Sequence, residues 1–141
     1  MKTLFRESIK LKVSSVLFFV LMLFASFTSD ELININIDVA PNVLNIASSG
    51  TVVTVHTDIL FSDVEGTTVS LNGVSIAWWK SDSRGQFVAK FNMEEVEKLV
   101  LEGDLDLGEN ELKLSGYTKS GILFTGSQSI SVIDITSVGK K

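Results

Sequence analysis

Regular alternation of apolar and polar residues is the feature that most restricts the fold of this chain. In residues 32–39, apolar side chains at the odd positions alternate with Asn34, Asn36 and Asp38. Successive side chains of a strand point to opposite faces, so the pattern predicts a strand with one buried and one wet face. Pro41 interrupts the run and residues 43–46 resume it, as at a sheet edge where the chain changes partner. Further strands are predicted over residues 51–61, 67–71, 74–79, 86–91, 109–115 and 121–134.

Turn signals separate these predicted strands at short intervals. Asn72-Gly73 lies between two alternating runs and predicts a two-residue hairpin, because a type I′ turn needs positive φ at both central positions. Seven or more short strands with turns every 8–12 residues are typical of an all-β, antiparallel two-sheet sandwich. Periodicity alone leaves open the alternative of one continuous closed sheet.

One short helix is predicted after the strand that ends at Phe91. Asn92 and Glu95 have the spacing of a capping box, in which each side chain binds a backbone amide of the first turn. Val96, Leu99 and Val100 form an apolar stripe, and Gly103 can end the helix. Phe91 and Val96 also stand at the positions of a hydrophobic staple.

The N-terminal segment predicts export. Lys2, Arg6, Lys10 and Lys12 precede an uncharged apolar run from residue 13 to 27, and small polar residues follow up to Ser29. This is the arrangement of a secretory signal peptide over residues 1–29, with an uncertain cleavage site. An uncleaved membrane anchor is the alternative, although the run is shorter than the roughly 20 apolar residues of a spanning helix. Residues 30–141 then form one domain, and contact with a membrane is expected only through a retained leader.

Composition restricts the partners of the exported domain. The first 29 residues carry four cations and one acid, so removing them takes the formal charge from −5 to −8. An acidic domain without clustered Lys and Arg is a poor binder of nucleic acid. The chain has no cysteine, so it has no disulfide and no thiolate metal site. We expect an extracytoplasmic protein that is secreted, periplasmic or at the cell surface, with a protein or a polysaccharide as its partner.

The order of motifs resembles a known class of module. The Asn72-Gly73 hairpin, the short helix and the closing Lys-x-Gly-x-x-Phe-x-Gly-Ser phrase at residues 119–127 stand in sequence between residues 33 and 134. This arrangement is similar to the immunoglobulin-like β-sandwich modules of secreted and surface proteins of bacteria and archaea. The resemblance implies an immunoglobulin-like fold. Some such modules carry an Asp-rich, calcium-binding turn, but residues 81–85 of this chain contain the single acid Asp82.

Two consecutive tryptophans are the candidate ligand-binding feature. Continuing the alternation from Val74 and Ile76 predicts that Trp78 enters the core and that Trp79 is exposed beside Lys80. An exposed Trp79 with Lys80 can stack on a sugar ring or anchor a protein partner. The alternative is that Trp79 packs under a loop or against the helix.

Other candidate chemistry is sparse. His56 is the only histidine, and without a Cys or His partner it predicts an exposed strand residue and no transition-metal site. Asp104, Asp106 and Glu109 offer oxygen ligands for calcium in a flexible loop, although they match no EF-hand spacing. No cofactor is expected apart from this calcium alternative.

These observations predict a non-catalytic binding or structural module. It would present loops and a sheet face to an extracytoplasmic partner. A carbohydrate-binding module that uses the exposed Trp is the alternative, and a calcium-binding module or a small hydrolase is a more distant one. A hydrolase lacks a Gly-x-Ser-x-Gly nucleophile motif in this sequence.

Overall fold

A computed structural model of the chain describes residues 30–135, so the predicted signal peptide lies outside the described residues. These residues form ten strands, a 3₁₀ turn at Phe61–Asp63 and one α-helix, α1 (Met93–Leu101). The strands are β1 (Leu32–Asn34), β2 (Ile37–Ala40), β3 (Val43–Asn45), β4 (Val52–Leu60), β5 (Val64–Leu71), β6 (Val74–Ser75), β7 (Trp78–Ser81), β8 (Gln86–Asn92), β9 (Gly108–Thr118) and β10 (Leu123–Ile133).

The strands form two sheets, so the prediction of an all-β fold with one short helix is confirmed at this level. The first sheet has six strands in the order β1-β10-β9-β5-β6, with β3 pairing on β10 as well. The second sheet has four strands in the order β2-β4-β8-β7. Pairing is antiparallel except where β1 and β3 run parallel to β10.

The N-terminal segment crosses between the sheets twice. Its strand β1 pairs with β10, β2 pairs with β4 in the other sheet, and β3 returns to β10. The second crossing follows Pro41, so the predicted change of partner at this proline is confirmed. At the first crossing, the Asp58 carboxylate accepts hydrogen bonds from the backbone amide and the side-chain amide of Asn36, at 2.9 and 2.7 Å. Together with a hydrogen bond from the Asp58 amide to the Asn36 carbonyl at 3.3 Å, these bonds attach the crossing segment to β4.

The predicted hairpin forms at Asn72-Gly73. Both residues have positive φ, 46° and 84°, and Leu71 pairs with Val74 across the turn. The strand predicted over residues 74–79, however, is two strands in different sheets. The Ile76 amide donates to the Val69 carbonyl of the first sheet at 3.1 Å, and the Ala77 amide donates to the Lys90 carbonyl of the second at 2.8 Å. The chain therefore changes sheets between two adjacent residues.

Helix α1 begins after Asn92, as predicted, but the capping box does not form. The Asn92 side chain makes no cap hydrogen bond, and Glu95 instead pairs with Lys98, with 2.6 Å between Oε1 and Nζ. Gly103, with φ of 83°, follows the helix and donates to the Val100 carbonyl. The helix is held to the sheets by its buried face, formed by Met93, Val96 and Leu99.

One hydrophobic core lies between the two sheets and extends under α1. Its largest fully buried side chains are Phe87, Phe91 and Phe124. The alternate residues of β4 point into it, because Val53, Val55, Thr57 and Ile59 are buried while the residues between them are more exposed. Within residues 30–135, no helix is long and apolar enough to cross a membrane.

Candidate functional site

The face of the four-stranded sheet that points away from the core carries the candidate site. We call it the outer face. Strand register places Trp78 opposite Lys90, which in turn pairs with Thr54. In the next row along the strands, Lys80 lies opposite Val88, which pairs with His56. Side chains of paired residues lie on the same face, so these six residues share the outer face.

Trp78 lies on this outer face, and the prediction that it enters the core is wrong. The side chain is 48 % exposed. The prediction assumed that Trp78 continues the alternation of Val74 and Ile76. Such alternation applies only within one continuous strand. Because the chain changes sheets between Ile76 and Ala77, the alternation starts again in β7 with a new phase.

Trp79 lies on the opposite face of β7, level with the buried residue Ala89. Its indole covers Gly66 in the other sheet, where a Cβ atom would stand 2.2 Å from Cε2. Trp79 is 37 % exposed, so its predicted exposure is confirmed in part. However, the structure does not bring Trp79 and Lys80 to the same face. Trp79 therefore closes the edge between the two sheets, and its role in ligand binding stays a prediction.

Lys90 completes a group that the sequence did not reveal. Its Nζ donates to Thr54 Oγ1 at 2.6 Å and lies 5.5 Å from the centroid of the Trp78 ring, within range of a cation–π contact. Partial burial lowers the pKa of Lys90, and the charge of Lys80 lowers it further. The only sequence feature that could have placed Lys90 on this face is the alternation of β8, in which Lys90 stands two residues after Val88.

His56 is exposed on the same face, as predicted. It pairs in register with Asp38 of the edge strand β2 on one side and with Val88 on the other. Asp58 is the next outward residue of β4, and its carboxylate is already bound to Asn36. The strand order thus places Asp38 and Asp58 on the β2–β4 side of the outer face and the two lysines on the β7–β8 side, next to the turn that contains Asp82.

The acids predicted for calcium do not converge. Asn110 closes their loop, since its side chain accepts from the Asp106 amide at 3.0 Å and donates to the Asp106 carbonyl at 2.6 Å. Glu109 lies in β9 and accepts a hydrogen bond from Ser129 of β10 at 2.8 Å. Asp104 follows the helix and is exposed. Within the described part of the chain, no three His, Asp or Glu residues could hold a metal ion together, and calcium binding stays a prediction.

The single acid of the turn between β7 and β8 binds backbone amides of the same turn. One oxygen of Asp82 accepts hydrogen bonds from the backbone amides of Arg84 and Gln86, at 2.8 and 2.9 Å. The Gln86 bond has the largest part in holding the pKa of Asp82 below its ordinary value. The carboxylate therefore orders the turn beside Lys80 and is engaged by the chain's own amides.

A cleft of about 630 Å³ lies on another side of the molecule, between the β5–β6 hairpin and α1. Its lining includes Glu95, Glu102 and Asp104 together with Lys98. Lys98 is bound to Glu95, and the charge-assisted bond raises the pKa of the lysine. The cleft contains none of the six outer-face residues named above, and its lining includes Asn92 at the end of β8.

Comparison with known proteins adds no further guidance. No protein-family model, curated protein or solved structure matches this chain. Its functional interpretation therefore rests on the chemistry of its own surfaces.

The contact between Trp79 and Gly66 gives a first testable prediction. We expect Gly66→Ala to force the indole out of its position and to lower the free energy of unfolding by about 1–3 kcal/mol, as overpacking does. Urea unfolding measures the loss. Because the chain has two tryptophans, the fluorescence of Trp79 should be followed in a Trp78→Phe background, where a red shift is expected.

A double-mutant cycle provides the control for this contact. In a Trp79→Ala background, the added methyl group of Gly66→Ala has no indole to displace and should cost much less. An equal cost in both backgrounds would show that the two residues do not act through each other.

Proposed function

We propose that this chain is an exported, non-catalytic binding module with an immunoglobulin-like fold, and that it engages an extracytoplasmic partner through the outer face. Export is supported by the basic start and the apolar run of residues 1–29. The partner is a protein or a polysaccharide outside the cytosol, either in the periplasm, at the cell surface or in the medium.

The strand order supports the immunoglobulin-like assignment. Immunoglobulin-type domains pair strands A, B, E and D in one sheet and C, F and G in the other. Here the four-stranded sheet has the order β2-β4-β8-β7, and the other sheet contains β5, β9 and β10 as neighbours. With the N-terminal segment as strand A, the two orders correspond. The switch of this first segment between the sheets is compatible with the same arrangement.

The exposure of Trp78 is the observation on which we assign partner binding to the outer face. Trp78 is 48 % exposed on the outer face, beside two lysines and diagonal to a fully buried valine. Indole burial contributes strongly to binding, and tryptophan is enriched at the energetic centres of interfaces. Trp79, by contrast, already has a packing partner in Gly66. Trp78 is therefore the residue that we assign to partner binding.

Sedimentation with cell envelopes tests this function. The hydrophobic core of the described residues lies within one compact unit, so residues 30–141 are the fragment to use. We expect the fragment to sediment with envelopes of the cells that produce it. Trp78→Ala is expected to weaken this binding at least about tenfold, the loss typical of a central aromatic residue.

Tyr117 offers a matched control on the other sheet. It is an aromatic residue of similar exposure, on the outward side of β9, so Tyr117→Ala should leave envelope binding unchanged. Equal binding of all three proteins, or no binding by any of them, would contradict the proposal. Intact mass of the protein recovered outside the cells tests export at the same time, because removal of the leader places the N-terminus near Asp30.

A further inference from the structure

Charge divides the outer face into two halves. Lys80 and Lys90 lie on the β7–β8 half, where Trp78 and Lys80 belong to the edge strand β7 and Trp78 pairs with Lys90. Asp38 and Asp58 lie on the β2–β4 half. Three strand spacings separate Asp38 from Lys80, roughly 14 Å. The lysines thus form a local cationic patch on a domain whose formal charge is −8.

The two lysines have no carboxylate partner among residues 30–135. The ion pairs in this part of the chain join Arg84 to Asp82 and Lys98 to Glu95. Lys80 and Lys90 occupy diagonal positions on adjacent strands, where Cβ atoms lie within about 7–8 Å of each other. The partial burial of Lys90 and, to a lesser extent, the repulsion from Lys80 disfavour its charge, which lowers its pKa. A bound anion would offset the repulsion between the two lysines and favour the charged form of Lys90.

One apolar side chain between these groups is closed off from solvent. Val88 lies between Lys80 and His56 in the sheet and is 0 % exposed, so the surrounding outer-face side chains cover it completely. The 630 Å³ cleft lies elsewhere and is lined by residues of the β5–β6 hairpin and α1. A sheet face that presents an indole and two cations suits a ligand that stacks and carries negative charge.

We propose that the β7–β8 half of the outer face binds a polysaccharide that carries carboxylate groups. One sugar ring packs on the exposed part of Trp78, and the carboxylates of the uronic acid units bind Lys80 and Lys90. This inference rests on the proposed function, because it names the ligand class of the same surface.

The division of charge favours a narrow chain over an acidic protein. A stable protein–protein interface covers about 800 Å² on each partner. An acidic partner of that size would extend from the lysines onto the half that carries Asp38 and Asp58, where like charges repel. A linear polymer that follows the β7 edge meets Lys80 and Lys90, and the one acid next to this edge, Asp82, is already bound by its own turn and by Arg84.

Isothermal titration calorimetry with polygalacturonate tests the inference. The fragment 30–141 should bind polygalacturonate and should bind the uncharged polymer galactan at least tenfold more weakly. Trp78→Ala should weaken binding about tenfold, and Lys80→Gln should weaken it severalfold and reduce its dependence on salt. Lys80 is exposed, so this variant should fold like the parent. Lys113→Gln, which removes an exposed cation from the other sheet, is the matched control and should have no effect.

Each other outcome overturns the inference in a distinct way. Equal binding of polygalacturonate and galactan would show that charge has no role. Tighter binding of poly-L-glutamate, with the same dependence on Trp78, would identify an acidic polypeptide as the partner. No binding of polygalacturonate, with Trp78-dependent sedimentation on envelopes, would refute the ligand class and leave the proposed function standing. If the envelope binding is also independent of Trp78, both proposals fail.

Discussion

Phe124→Ala is expected to lower the free energy of unfolding by about 3–5 kcal/mol, the range for removing a large aromatic side chain from a packed core. Phe124 is 0 % exposed and lies in the central strand β10. Its ring fills the space above Gly116, where a Cβ atom would stand 2.7 Å from Cζ and 2.8 Å from a methyl carbon of Val69. Such tight enclosure leaves little room for neighbours to collapse into the cavity. Urea unfolding followed by circular dichroism measures the change.

Leu101→Ala is the control for this prediction. Leu101 ends α1 and is largely exposed, so its truncation should change the free energy of unfolding by less than about 0.5 kcal/mol. A loss below about 1.5 kcal/mol for Phe124→Ala would show that the ring is not enclosed by the core. Small domains are commonly stable by only 5–15 kcal/mol, so the expected loss is a large share of the total.

Gly126→Ala is expected to destabilise the protein by about 1–3 kcal/mol or more, because the added methyl group meets backbone. At Gly126, a Cβ atom would stand 2.6 Å from the Ile35 carbonyl oxygen and 2.8 Å from a methyl carbon of Ile37. This is the point where the N-terminal segment crosses from one sheet to the other. Ile35 is tied to the same strand by a hydrogen bond to the Thr125 carbonyl at 2.8 Å, so it cannot move without breaking pairing.

Gly50→Ala is a matched control for this second prediction. Its added Cβ atom would also stand too close to a neighbour, at 2.7 Å, but that neighbour is the terminal methyl group of Met93. A flexible side chain can move where a backbone carbonyl cannot, so Gly50→Ala should cost clearly less. Hydrogen exchange should show faster exchange of the β1 and β2 amides in Gly126→Ala alone. Equal destabilisation by the two variants would contradict this explanation.

Local patterns were sufficient to predict most elements of the fold. The alternation in residues 51–61 predicted both the strand β4 and its buried face, because side chains of one strand must alternate. The Asn72-Gly73 hairpin was predicted because few residues accept positive φ at both turn positions. The helix was placed correctly, yet its capping box was not, because Glu95 has a competing partner in Lys98 one turn away.

The candidate site was predicted only in part. Trp79 was predicted to be exposed beside Lys80, but the aromatic neighbour of Lys80 on the outer face is Trp78. Lys90 was missed because its contacts with Thr54 and Trp78 cross two strand boundaries, and neither neighbour is close in sequence. The predicted calcium ligands do not converge, because Asn110 binds the backbone of Asp106 and Ser129 binds the carboxylate of Glu109. Sequence spacing does not reveal these hydrogen bonds.

The sequence by itself determined that the chain forms strands, where the turns fall and which side of most strands is buried. These properties depend on residues that are neighbours in the chain, through alternation and turn geometry. Only the tertiary structure decided which sheet each strand joins. The change of sheets between Ile76 and Ala77 depends on hydrogen bonds to Val69 and Lys90. Because of this change, each tryptophan lies on the face of its strand opposite to the predicted one. The candidate site exists because pairing across strands brings distant residues onto one face, which no local pattern encodes.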